Sequence, residues 1–111
     1  MTTTNLLKLL YAKQIQFKDI LAHIDDLYFY RPTAFRNGPL ANTALENQGS
    51  ARVFYFAKCN DLTKEDTLAL FAEHYVSVLN DPAGVDHQNI RNFQRHGWEG
   101  ISFDGVVLDP R

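Results

Sequence analysis

Phe17, Ile20, Leu21, Ile24 and Tyr28 recur at i, i+3, i+4, i+7 and i+11, the apolar stripe of an amphipathic helix. Lys18, Asp19, His23, Asp25 and Asp26 take the other faces, so His23 is expected in solvent. Leu6, Leu9 and Leu10, set among Lys8 and Lys13, predict a shorter helix before it. Thr63 opens Thr-Lys-Glu-Asp, an N-cap followed three residues on by an acid. Leu68, Phe71, Ala72, Tyr75 and Leu79 then supply the inward stripe of one continuous helix, and Glu65 and Asp66 suit its positive end. The run Asn80-Asp81-Pro82-Ala83-Gly84 stops it. Asp86 is expected to cap a last helix that runs to about His96 and ends at Gly97.

Between these lie less regular stretches. Tyr28-Phe29-Tyr30-Arg31 is β-prone, and Thr33-Ala34-Phe35 continues the extended character. Pro32 has no N–H to give a ladder, so a strand here should be an edge or be interrupted. Asn37-Gly38-Pro39 signals a turn. From Arg36 to Gly49 no periodicity is visible, which reads as a loop whose amides bond its own backbone. Ser50 is expected to cap a helix over Ala51 to Cys59. Its VFYF run is β-rich in propensity, yet Val53, Phe54 and Ala57 share a helical face. After Glu99-Gly100, Ile101 and Phe103 alternate with Ser102. Asp104-Gly105 suits a two-residue turn, and Val106 to Leu108 would return as a second strand.

The pattern predicts an α+β fold in one domain over 1–111. About five helices pack on a small antiparallel sheet made of the extended segment near 29–36 and a C-terminal hairpin, 101–108. The two should pair, because an isolated two-stranded hairpin is marginal in water.

Composition narrows the classes of function. The chain has 111 residues, 45% hydrophobic and 22% charged, the values of an ordinary globular protein. Eight Phe, five Tyr and one Trp provide much burial for a small core. Eleven basic against 13 acidic residues give a net charge of −2, with no basic block of the kind that binds nucleic acid. The apolar runs fall short of a membrane span, and no signal peptide is visible. Cys59 is the single cysteine and is expected to pack as a small hydrophobe; a reducing cytosol is the expected home. Residues 1 to 18 hold no acid, and Thr2, Thr3, Thr4 and Asn5 are polar. This is compatible with an export signal read while unfolded, but a frayed end leading into a helix is the preferred reading.

Candidate chemistry concentrates in DHQNIRNFQRHGWEG, residues 86–100. His87 and His96 are nine residues apart, about two and a half helical turns, so they point to opposite sides and cannot share a metal. No metal-ligand spacing, nucleophile elbow or phosphate-cradling glycine loop occurs, so no metal or cofactor is expected and no catalytic residue is assigned. His87 and Arg91, at i and i+4, project from one face and could hold a carboxylate or phosphate at a helix N-terminus. Asn89 could join them, with Asn37 or Asn47 from the loop. Ile90 and Phe93 should enter the core, and Trp98 should anchor the hairpin.

The order FYRPTAFRNG (29–38), ENQGS (46–50), LTKEDTLALFAEHY (62–75) and DHQNIRNFQRHGWEGISFDG (86–105) resembles the HopJ type III effector family over nearly the whole chain. The resemblance implies a small bacterial α+β protein, delivered into a host cell by a type III apparatus if it is a true effector. It supplies no catalytic residue or cofactor, and Ala51 stands where the family pattern often has Cys. Three readings follow. The protein acts by contact with a host or bacterial protein, through an exposed apolar patch. Or it is a small ligand-binding protein or enzyme, with His87, Asn89 and Arg91 converging with Asn37 or Asn47 on one concavity. Or those polar residues only tie loops together, buried and hydrogen-bonded.

Overall fold

The computed structural model describes residues 2–111. Two helices lead: α1, Thr3–Tyr11, capped by the Thr2 hydroxyl, and α2, Phe17–Leu27. Three short strands follow, β1 (Tyr28–Tyr30), β2 (Phe35–Asn37) and β3 (Leu40–Asn42). Then come α3 (Gln48–Cys59), α4 (Lys64–Ala69), α5 (Glu73–Asn80) and α6 (Gln88–His96). A 3-10 turn over Gly97–Gly100 leads into β4 (Ile101–Phe103) and β5 (Leu108–Pro110). The α+β class is as expected. The core is built from Leu6, Ile20, Ile24, Phe35, Phe54 and Phe93, among others, with Ile90 and Phe93 inside as the pattern required.

The C-terminal segment does pair with the extended segment, but not as a hairpin. β4 lies antiparallel to β2, with Arg36 opposite Ser102, in a sheet ordered β3-β2-β4. β5 lies antiparallel to β1, with Phe29 opposite Asp109, in a separate two-stranded sheet. The cause is the interruption at Pro32. The first strand divides there, and its partner divides with it. Arg31 N donates to Val107 O at 2.8 Å and Asp104 N to Ala34 O at 3.0 Å, carrying contact across the gap.

The stretch read as a loop from residue 36 contains the hairpin β2–β3. Gly38 turns it at φ +59°, a conformation that favours glycine. Its buried residues are Phe35, Asn37 and Asn42, so beyond Phe35 the inward positions are polar and the apolar alternation is lost although the strands are regular. The next helix starts at Gln48, not after a Ser50 cap. Asn47 precedes it in the left-handed region, at φ 51° and ψ 39°. Asp86 does not cap the last helix either; His87 holds the N-cap position, again left-handed, and the Asp86 side chain turns to Arg91.

The expected continuous helix from Thr63 is two helices. Thr63 caps the first through Asp66 N at 3.1 Å, as its sequence implied. The chain then breaks at Leu70 to Ala72. His74 N donates to Phe71 O at 3.0 Å, closing a turn whose first central residue, Ala72, has φ 51° and ψ −122°. These are the angles of a type II′ turn, where glycine is the usual occupant. Adjacent Leu70 and Phe71, at the break, are both in the core. The break shifts the phase of α5. Val78 is buried, and Leu79, expected inside, faces out.

Two side chains change places relative to expectation. His23 is buried, because α2 packs on α3 over a face wider than its apolar stripe and the imidazole meets the Phe56 ring edge-on at 5.9 Å. Its Nε2 has no hydrogen-bond partner. Cys59 is exposed at the end of α3, where the helix face turns from the core. Local burial pushes its thiol pKa up, away from the thiolate form.

Candidate functional site

The residues singled out in sequence fall into two networks. Asn37, Asn42 and Asn89 form the first, with Asn47 at its margin. Asn37 Nδ2 donates to Asn89 O at 2.7 Å and to Asn89 Oδ1 at 3.0 Å. Asn42 Nδ2 donates to the same Oδ1 at 3.3 Å. Asn89 Nδ2 returns a bond to Asn42 Oδ1 at 3.0 Å, and Asn47 Nδ2 reaches that oxygen at 2.8 Å. Asn37, Asn42 and Asn89 are buried. Their amides therefore satisfy one another and hold the start of α6 to the β2–β3 hairpin. Asn37 Oδ1 is the one buried atom of the group without a partner.

Arg91 organises the second network. Its Nε donates to Asp86 O at 2.6 Å, Nη1 to Asp81 O at 2.9 Å and Pro82 O at 3.4 Å, and Nη2 to Asp86 Oδ1 at 2.8 Å. The guanidinium is almost wholly out of solvent and is spent on the turn before α6. A Cβ on Gly84 would lie 2.5 Å from Arg91 Nη2 and from Asp81 Oδ2, so the turn closes this tightly only around glycine. The hydrogen bond from Arg91 holds the Asp86 carboxyl below the usual carboxylate range. His87 is half-buried. Its Nε2 lies 3.9 Å from Asp86 Oδ2, and its ring stands 5.1 Å from that of His74.

The structure thus brings Asn37, Asn47 and Asn89 together and sets His87 and Arg91 apart from them. Arg91 faces backbone carbonyls rather than an opening. Among the described residues no three His, Cys, Asp or Glu side chains are grouped to hold a metal ion. Trp98 is partly buried, edge-on to Phe93 at 5.1 Å, and its other side borders a shallow cleft of about 310 Å³ with Lys58 and Leu62.

A larger concavity lies where sequence reading placed nothing. A groove of about 740 Å³ runs between the α1–α2 connection and the two helices α4 and α5. Leu10, Ile15, Ala69 and Ala72 line it, with Tyr11, Val76 and Leu79 along its edges. Those three edge residues are 59%, 39% and 54% exposed. Such grouped exposure is informative, where a single exposed apolar residue is not. Tyr11 is fixed by its hydroxyl, which donates to Asp66 Oδ1 at 2.5 Å. That bond, with the neighbouring acids, pushes its pKa up to about 12. Glu73 Oε1 accepts from Phe17 N at 2.7 Å, closing the end of the groove next to α2. The groove exists because the turn at Ala72 breaks the helix. The signal was the pair Val76 and Leu79, three apart, left outside the core once α5 changes phase.

A family model described as HopJ type III effector protein matches residues 3–108. A solved structure titled "Crystal structure of unknown function protein VPA0580" is similar at 43% identity and a TM-score of 0.90, covering 100% of this chain and 95% of that one. No curated protein matches.

Proposed function

The chain belongs to the HopJ type III effector protein family, and we propose that it works by holding another protein in the groove along α5 rather than by turning over a substrate. The observation that carries this reading is the groove itself: open, apolar and edged by Tyr11, Val76 and Leu79. The polar residues that an enzyme or an anion site would use are spent on the fold. Arg91 is committed to the carbonyls of residues 81, 82 and 86, and Asn37 and Asn89 to each other.

A photo-crosslinking amino acid placed at Leu79 tests it in cells. The expected result is adducts of discrete protein mass that disappear when Ala69→Glu fills the groove floor. Adducts unaffected by Ala69→Glu, or none, would remove the groove from the proposal.

Delivery into a host is the second part of the proposal and rests on the family and on the acid-free first 18 residues. Leu6 and Leu10 of α1 are core residues, so a signal in this stretch must be read before folding. Residues 1–50 fused to a reporter should leave a bacterium that carries a type III apparatus. Retention of the reporter would leave a protein acting in the bacterial cytoplasm. No helix of the described residues is long and apolar enough to cross a membrane.

A further inference from the structure

The groove's chemistry says more about its occupant, on the premise that the groove is a protein-binding site as proposed above. Its walls are α4, α5 and the irregular α1–α2 connection, with no strand among them. They offer no unpaired strand edge, so an extended peptide would find no backbone ladder to join. The α5 wall is eight residues, about 12 Å, or slightly over two helical turns. That length takes the i, i+3 or i+4, and i+7 anchors of an amphipathic helix.

Charge decides the flank. Glu65 and Glu73 border the groove, and Asp66 stands behind Tyr11; Lys13 is the single cation in the lining. Asp66 accepts from the Tyr11 hydroxyl and Glu73 from Phe17 N, both neutral donors rather than cations. Glu65 enters no hydrogen bond or ion pair among the described residues. A ligand with an alkyl chain and a carboxylate would meet three acids against one lysine. A helix with basic residues beside its apolar face would meet complementary charge along the same edge. We infer that the occupant is a short amphipathic helix of a partner protein, with apolar anchors for the Val76–Leu79 edge and a Lys or Arg flank facing Glu65 and Glu73.

Three fluorescent synthetic peptides test this by anisotropy with the full chain. All are helical with the same leucine anchors; one has Lys and Arg flanks, one Glu flanks, and one has the anchors scattered around the helix. The basic peptide should bind at least about fivefold tighter than its acidic twin, since rim pairs are individually weak. The preference should shrink as salt rises. Glu65→Lys should reverse it, and Leu79→Asp should abolish binding of both. Both positions are on the surface, so the variants keep the native melting curve, and Val76→Asp serves as a second groove variant. Equal binding of the two flanked peptides, or tighter binding of the acidic one, overturns the basic partner while leaving a groove that takes helices. Dimerisation of the chain lost in Leu79→Asp, without peptide binding, makes the occupant a second copy and overturns the inference. If no peptide binds and a fluorescent alkyl carboxylate does, both this inference and the protein-binding reading fall.

Discussion

Asn37 Nδ2 bridges the backbone and side-chain oxygens of Asn89, at 2.7 and 3.0 Å, across 52 residues of sequence. The contact joins β2 to the first turn of α6 inside the protein. Asn89→Ala would remove the side-chain amide shared by the buried Asn37 and Asn42. Asn37 Nδ2 would keep the Asn89 carbonyl and Asn42 Nδ2 the Phe35 carbonyl, but one N–H of each amide would be unpaired. A cost of about 2–3 kcal/mol is expected, the penalty of leaving buried donors unsatisfied. Urea denaturation measures it. A loss below that of an ordinary surface change would mean that the network opens to solvent.

Arg91 and Asp86 should respond unequally to substitution. Arg91→Met removes hydrogen bonds to three backbone carbonyls as well as to the carboxylate, and should destabilise by about 2–3 kcal/mol. Asp86→Asn leaves the carbonyl contacts in place and removes a group already in solvent, so its effect should be much smaller. The Asp86 pKa is depressed on folding. Its contribution is therefore present above its ordinary value and fades as pH falls through the folded one. Unfolding midpoints of the two variants at neutral and at strongly acidic pH would show the gap between Asp86→Asn and the parent closing in acid.

His23 makes the protein sensitive to milder acid. Burial lowers its pKa below 6.5, and its Nε2 has no partner to share a charge with. The unfolded chain then takes up the proton first. Stability is complete above about pH 6.5 and is lost as pH falls toward the folded value. His23→Leu keeps the apolar contact with Phe56 and removes the titration. The variant should gain on the parent between pH 7.5 and pH 5 in parallel denaturation curves; a constant difference would assign the acid response elsewhere.

At Ala72 the prediction runs toward higher stability. With φ 51° and ψ −122°, the residue carries a Cβ where a type II′ turn prefers none. Ala72→Gly should relieve strain and raise stability by about 1 kcal/mol, against the usual entropic cost of glycine. A rise in Tm by calorimetry is the expected sign, and a fall would show that the residues on either side, not the turn, hold the conformation.

The same turn explains what the sequence could and could not convey. The helices α2 and α6 were legible because their apolar positions follow the helical period. The Thr63 cap was legible because it is a local hydrogen-bond pattern. The break at Ala72 was not, since alanine favours helix and no glycine marked the turn. The groove depends on that break and was hidden with it. The β2–β3 hairpin was hidden for another reason. After Phe35 its buried residues are Asn37 and Asn42, so a hairpin whose inward positions are mostly polar looked like a loop. Their partner, Asn89, lies some fifty residues on, and no periodicity links amides so distant. His87 and Arg91 were expected on one helical face, but His87 is the left-handed N-cap ahead of Gln88, so the i, i+4 spacing does not apply to it. Spacing along α6 carried no word of the preceding turn, whose carbonyls claim the guanidinium.

The forked pairing of the C-terminal segment has a thermodynamic consequence. Ser102 opposes Arg36 in one sheet and Asp109 opposes Phe29 in the other, yet only the short stretch between β4 and β5 separates the two ladders. Val107, buried in that stretch, pins it to the core. Neither ladder can open far without pulling on its neighbour, so two sheets that share no strand are stapled into one cooperative unit. Three-residue strands, too short to persist alone, last here because each is anchored through the other.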